Sequence, residues 1–169
     1  MTEFYDSTSL AELAAAGADH VCLYGDGVFD QSGRPLARTF KYRRWITVAG
    51  LETCGIADYE PGNPVFEHAG ELRRWALARH AKREWPIVYT DRANAAAAMA
   101  EVHGLACYYW VSIINPADRP AQHPVTALEL SSDLTGNWHA PIPAPLLWGC
   151  QWDNQPGWDR SDLFGDWWA

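Results

Sequence analysis

Ile56-Ala-Asp-Tyr-Glu-Pro-Gly-Asn-Pro64 is an apolar run that stops in two carboxylates and is followed by two prolines. Read as the end of a β-strand over residues 54–59, it sets Asp58 and Glu60 two positions apart on one face, with side-chain origins roughly 6.5–7 Å apart. Pro61 has no backbone donor and restricts Glu60, while Pro64 suits the first turn of a helix. The pair therefore stands at a strand end facing a loop, where α/β proteins keep their sites.

The same punctuation recurs on either side. His20-Val-Cys-Leu-Tyr24 reads as a buried strand that breaks at Gly25-Asp26-Gly27, placing a further acid, Asp26, at a strand end; a turn residue capping its own backbone is the competing role. Arg44–Val48, Pro86–Thr90, Leu105–Val111 and Leu146–Trp152 are strands by their β-branched and aromatic content. Between them, Ser9-Leu-Ala-Glu12 is a capping-box pattern that opens a short helix ended by Gly17. Val65, Ala69, Leu72 and Ala76 predict one helix from Pro64 to about Arg83, and Asp91 can cap a helix with the stripe Ala95, Ala98, Met99, Val102. Gln31–Phe40 reads as loop or short helix, and Pro116–Pro145 as long loops holding one strand, Val125–Leu130.

Strands alternating with helices, each strand nearly continuous in apolar residues, predict a mostly parallel α/β sheet. Six or seven strands favour a small, incomplete (β/α) barrel of the TIM type, in which loops replace some helices because 169 residues fall short of the usual ~200. A doubly wound open sheet is the rival, but no Gly-x-Gly-x-x-Gly or phosphate-cradling turn follows any strand. The length suits one domain over residues 1–169.

Composition narrows the partners. A formal charge of −8 argues against nucleic acid, and the one basic cluster, Arg38–Arg44, reads as the solvated start of a strand. No apolar run approaches the ~20 residues of a membrane span, and the N-terminal Met-Thr-Glu-Phe-Tyr-Asp lacks the basic and apolar regions of a signal peptide. Synthesis in a cytoplasm is the expectation. Cys22, Cys54, Cys107 and Cys150 lie in strand-like segments without paired spacing, which predicts buried free thiols and neither a metal nor another cofactor. Ten tryptophans suit either core packing or the flat faces of sugars.

Tyr24-Gly-Asp-Gly27, Ile46-Thr-Val-Ala-Gly50, Ala57-Asp-Tyr-Glu-Pro-Gly-Asn63, Pro86-Ile-Val-Tyr89, Tyr109-Trp-Val111, and Gln151-Trp152 with Trp158-Asp159 and Leu163 come in an order that resembles the glycoside hydrolase family 25 lysozymes. The likeness is nearer to the glycoside-hydrolase-like domains of actinobacteria and their phages, and it spans nearly the whole chain. It implies an incomplete β/α barrel and, in active members, a muramidase cutting the N-acetylmuramic acid to N-acetylglucosamine bond of peptidoglycan. The family's Asp-x-Glu falls on Asp58 and Glu60, its first-strand acid on Asp26, and its late acid on Asp159, with Asp162 as the alternative register. Family members commonly have Gln-Tyr where this chain has Gln151-Trp152, and Gly-Ile-Asp-Val-Ser where it has Tyr24-Gly-Asp-Gly27.

On that reading Glu60, among apolar and aromatic neighbours, is the general acid. Asp58 is expected to be the more hydrogen-bonded and ionised carboxyl, stabilising an oxocarbenium or orienting an acetamido group, with Asp26 or Asp159 as second carboxylate. Both the retaining (~5–5.5 Å) and the inverting (~6.5–9.5 Å) separations fit the pattern. Tyr89, Trp110, Gln151 and Trp152 would line a groove for bacterial cell-wall glycan, or Tyr89 and Trp110 would pack the barrel. The alternative function is a non-catalytic head, fibre or tail component of a phage virion, with other virion proteins as partners and an exposed Trp167-Trp168 terminus as its surface.

Overall fold

Eight strands close into a barrel in chain order in the computed structural model, which describes residues 2–114, 126–155, 157–165 and 167. They are β1 (Thr2–Asp6), β2 (His20–Tyr24), β3 (Tyr42–Thr47), β4 (Ile56–Asp58), β5 (Ile87–Asp91), β6 (Tyr108–Ser112), β7 (Leu147–Gln155) and β8 (Trp158–Leu163). Each of β1 to β7 is parallel to the next, and β8 runs antiparallel to both β7 and β1, closing the ring. The fold is therefore mixed α/β with a mostly parallel barrel. The reversal at β8 follows from a connection too short for a crossover. Gly157, at φ +91°, makes that turn, and a Cβ there would overlap the Glu12 carboxylate.

Helices are few. The first, α1 (Leu10–Ala15), links β1 to β2; α2 (Pro64–Glu67) and α3 (Glu71–Ala81) link β4 to β5; α4 (Ala95–Glu101) and α5 (Ala127–Asn137) follow β5 and β6. Only 3-10 turns, Gly27–Phe29 and Pro35–Arg38, separate β2 from β3, which answers the ambiguity of residues 31–40. Apolar clusters form on both faces of the barrel, because parallel strands bury both, and one of them packs Leu10 and Leu13 of α1 against Val21 and Leu23 of β2. Inside the barrel lie Phe4, Ile46, Ile56, Ile87, Trp110 and Trp148. Outside it, Ala57, Val88 and Val111 meet Leu72, Trp75, Ala98 and Leu134 from the helices. The four cysteines are free and buried. No helix among the described residues is long and apolar enough to cross a membrane.

Several expectations are corrected. The helix over 64–83 is two helices, because Gly70 at φ +89° interrupts it, and Ala69 is exposed rather than on the buried stripe. The expected strand Val125–Leu130 is not one: Ala127 to Leu130 open α5, where Thr126 accepts from the Glu129 amide and Glu129 accepts from the Thr126 amide, a closed capping box. Val125 itself lies outside the described residues. The strand expected over 54–59 ends at Asp58, so Glu60 belongs to the following loop. The Trp167 half of the expected exposed terminus is buried, 5% accessible, and plugs the N-terminal end of the barrel; Trp168 lies outside the described residues. Phe4 stands 5.7 Å from the Trp167 ring, His20 stands 5.0 Å from it, and the Arg44 guanidinium lies over it at 5.8 Å while its Nε donates to the Trp167 carbonyl.

Candidate active site

Because β1 to β6 run one way, their last residues gather at one mouth: Asp6, Tyr24, Thr47, Asp58, Asp91 and Ser112. β8 runs back, so its early residue Asp159 returns to that mouth directly opposite Asp6 in the β1–β8 ladder. Alternation along the strands turns Asp6 inward above Phe4, Asp58 above Ile56 and Tyr89 above Ile87, all three lower residues being interior. Glu60, two residues past β4, lies in the loop beside the Tyr89 side chain. Asn63 Nδ2 donates to the Asp58 carbonyl at 3.2 Å and holds the loop against the strand end. A cavity of about 210 Å³ opens beside the group, lined by Asp6, Ser7, Thr8, Tyr24, Trp158 and Asp159.

Carboxyls in such company lose solvent and repel one another, and both effects favour the protonated form. Burial and then the Glu60 charge push Asp58 from 3.8 up to about 8, against hydrogen bonds from Asn63 and Tyr24. One of its oxygens, Oδ1, is buried with no hydrogen-bond partner. Burial and then Asp153 push Asp159 up to about 6. Asp6 is raised well above its ordinary 3.8 by burial, then by Asp159, Asp58 and Glu60. Glu60 is raised by burial, then by Asp91, against the contact with Tyr89, which lowers it. Near pH 7 the mouth thus holds carboxylic acids beside carboxylates, the mixture that acid–base chemistry requires. Asp58, expected to be the ionised member, is instead a proton holder, because it is only 4% exposed.

No protein-family model, curated protein or solved structure matches this chain.

Asp58, Glu60 and Asp159 are thus brought together at one mouth, while the other expected residues fare differently. Asp26 follows the second strand, not the first, and both its oxygens are engaged, one by the Thr47 hydroxyl and one by the Val48 amide at 2.8 Å. It pins the loop after β3; the acid ending the first strand is Asp6. Asp162, the alternative register for Asp159, pairs with Glu3 and Cys150 toward the other end of the barrel. Trp110 is wholly buried in the interior, its indole donating to Ser161 at 3.1 Å, so it packs the barrel and lines no groove. Trp152 packs with the outer cluster under the Arg160 guanidinium, on the far side of β7 from the interior. Tyr89 and Gln151 do reach the site, but as buried partners: the tyrosine hydroxyl donates to Gln151 Oε1 at 2.6 Å.

Asp6, Tyr24 and Trp158 are the site residues the sequence reading misses. Asp6 had a signal: Phe4-Tyr-Asp6 followed by Ser7-Thr8 repeats the apolar run ending in an acid seen at Ile56-Ala-Asp58.

A pH prediction follows from the carboxyl cluster. Groups with a raised folded-state pKa bind more protons folded than unfolded, so stability is greatest below about pH 4 for their terms and falls as pH rises. For Asp159 the loss runs to about pH 6, and for Asp58 to about pH 8. Thermal melts should therefore show Tm falling from pH 4.5 to 8, with Asp58→Asn flattening the fall and melting above the wild type at pH 8. A wild-type Tm that rises over that range contradicts the burial of these acids.

Proposed function

We infer that the chain is a glycoside hydrolase acting on bacterial cell-wall glycan, a muramidase in the manner of the glycoside hydrolase family 25 lysozymes that its motifs resemble. The observation that carries this reading is the cluster of Asp6, Asp58, Glu60 and Asp159 at one barrel mouth, with two of them raised to about 8 and about 6. Carboxyl groups whose environments hold them at different pKa values are what an acid-assisted glycosidic cleavage uses. The barrel is then a shortened TIM-type barrel in which β2–β3 and β3–β4 dispense with helices.

Glu60, the more open of the Asp58–Glu60 pair, protonates the departing glycosidic oxygen. Asp159, ionised above about pH 6, faces the cationic sugar carbon with Asp6 beside it, until water bonds to that carbon and gives up a proton to the Glu60 carboxylate. Asp58 keeps its proton and donates toward a substrate carbonyl such as an acetamido group. Trp158, which lines the cavity, supplies an aromatic wall for the sugar face. A cavity of about 210 Å³ is below the roughly 300–1,000 Å³ of sites that enclose a whole ligand, as suits a site that takes one stretch of a long polymer.

The direct test is release of reducing ends from purified actinobacterial peptidoglycan by the wild type beside Asp6→Asn. Wild-type release with a loss of two or more orders of magnitude in the variant is expected. Release unaffected by Asp6→Asn would remove the cluster from the chemistry. Absence of release on several walls would favour the non-catalytic virion module.

A further inference from the structure

Two apolar side chains stand open to solvent on the rim of the carboxyl-lined mouth: Val28 is 91% exposed and Phe29 47%. Both sit in the 3-10 turn Gly27–Phe29 that follows β2. That turn is tied down on two sides. Gln31, wholly buried, closes its base: Oε1 accepts from the Tyr24 amide at 3.0 Å, the Gln31 amide donates to the Tyr24 carbonyl at 2.8 Å, and Nε2 donates to the Ser7 carbonyl just past β1 at 3.0 Å. Asp26 fastens the other side to the end of β3, accepting from the Thr47 hydroxyl and the Val48 amide. Gly27, at φ +72°, lies so close to Val48 that a Cβ there would come within 2.6 Å of Cγ2.

These ties use neither the Val28 nor the Phe29 side chain. Polar residues would close the same turn, so apolar ones held in water by a fixed backbone mark a surface used for binding. Phe29 is continuous with the site. Its ring centroid is 5.7 Å from that of Tyr24, the planes tilted by 57°, and Tyr24 lines the cavity with Asp6, Trp158 and Asp159. A ligand seated in the cavity and continuing as a chain past Tyr24 meets the exposed part of Phe29 next.

We propose that Phe29 is a specificity-determining platform for a second sugar of the glycan strand, outside the unit held in the cavity. The identity of that ligand rests on the glycosidase reading of the same mouth. A pyranose ring offers an apolar C–H face and a polar rim; an aromatic ring that is half in water covers the face and leaves the hydroxyl and acetamido groups solvated. Val28 widens the apolar surface beside it. Because the turn is already fixed, binding orders little of the protein, and the stacking contributes to affinity without that cost. At about 210 Å³ the cavity does not enclose a long ligand, so recognition of chain length falls to the rim.

Titration calorimetry with the dimer and the hexamer of N-acetylglucosamine, on the wild type, Phe29→Leu and Phe29→Trp, tests this, with reducing-end release from peptidoglycan assayed on the same preparations. The wild type should bind the hexamer more tightly than the dimer. Phe29→Leu keeps an apolar side chain without the flat face and should weaken the hexamer about tenfold while leaving the dimer unchanged; Phe29→Trp should keep the hexamer affinity. Hexamer binding that is unaffected by Phe29→Leu overturns the platform and leaves the exposed pair to a protein partner. Equal losses for dimer and hexamer, or a wild type that binds neither, overturn it as well. A wild type that shows the length dependence yet releases no reducing ends removes the glycosidase reading and keeps the platform, whereas release without length dependence does the reverse.

Discussion

Glu60→Gln is expected to slow cleavage of cell-wall glycan by about 10²–10⁴-fold, the usual contribution of a positioned general acid. The amide keeps the shape of the acid, but its N–H is far too weakly acidic to give a proton to a leaving alkoxide. Stability should change little. Burial and Asp91 already disfavour the charged form of Glu60, so a neutral isostere removes repulsion rather than attraction. Steady-state kinetics and a thermal melt on the same sample check both halves. A variant as active as the wild type would strip Glu60 of its role; a change confined to KM would make it a binding residue.

Trp167→Ala should be the most destabilising of the single changes considered, costing about 3–5 kcal/mol, the range for a buried tryptophan truncated to alanine. The ring closes the N-terminal end of the barrel against Phe4, Trp148 and His20, and its loss also strips the Arg44 guanidinium of one aromatic face. For a chain of this size that corresponds to a Tm lower by on the order of 10 °C. Activity measured well below the new Tm should persist, because the carboxyl cluster lies at the other end of the barrel. An unchanged Tm would mean that Trp167 does not seat there and would return it to the role of an exposed interaction surface.

The parallel part of the fold was legible because β2, β5, β6 and β7 are apolar on both faces and long enough to read as runs. Asp58 and Glu60 were found for the same reason: acids that end an apolar run are conspicuous. β1 and β8 escaped because Thr2-Glu-Phe-Tyr-Asp6 and Trp158-Asp-Arg-Ser-Asp-Leu163 alternate with charges, and their ladders with each other are what make them strands. Missing β1 shifted the strand count by one, and Asp26 was given the place that Asp6 occupies. The same shortfall affects the tryptophans. Parity along a strand decides whether Trp110 points inward and Trp152 outward, and β7 carries a register irregularity between Gln151 and Asp153 that no periodicity reveals. α5 was readable, since Thr126 and Glu129 have the spacing of a capping box and Leu130 and Leu134 stand one turn apart; the alternation of Val125-Thr-Ala-Leu-Glu-Leu130 masked it.

The convergence of Asp58 and Glu60 also has a different cause from the one the spacing suggests. The strand stops at Asp58, and Glu60 stands in the loop beyond it, which Asn63 ties back to the strand end. Residue spacing set the two acids close; the loop sets their orientation.

The most direct measurement is the identity of the new reducing end after wild-type digestion of peptidoglycan and borohydride reduction. The account predicts muramitol, released by the wild type and lost with Asp6→Asn and Glu60→Gln. Glucosaminitol as the reduced sugar, or no reduced amino sugar at all, would contradict it.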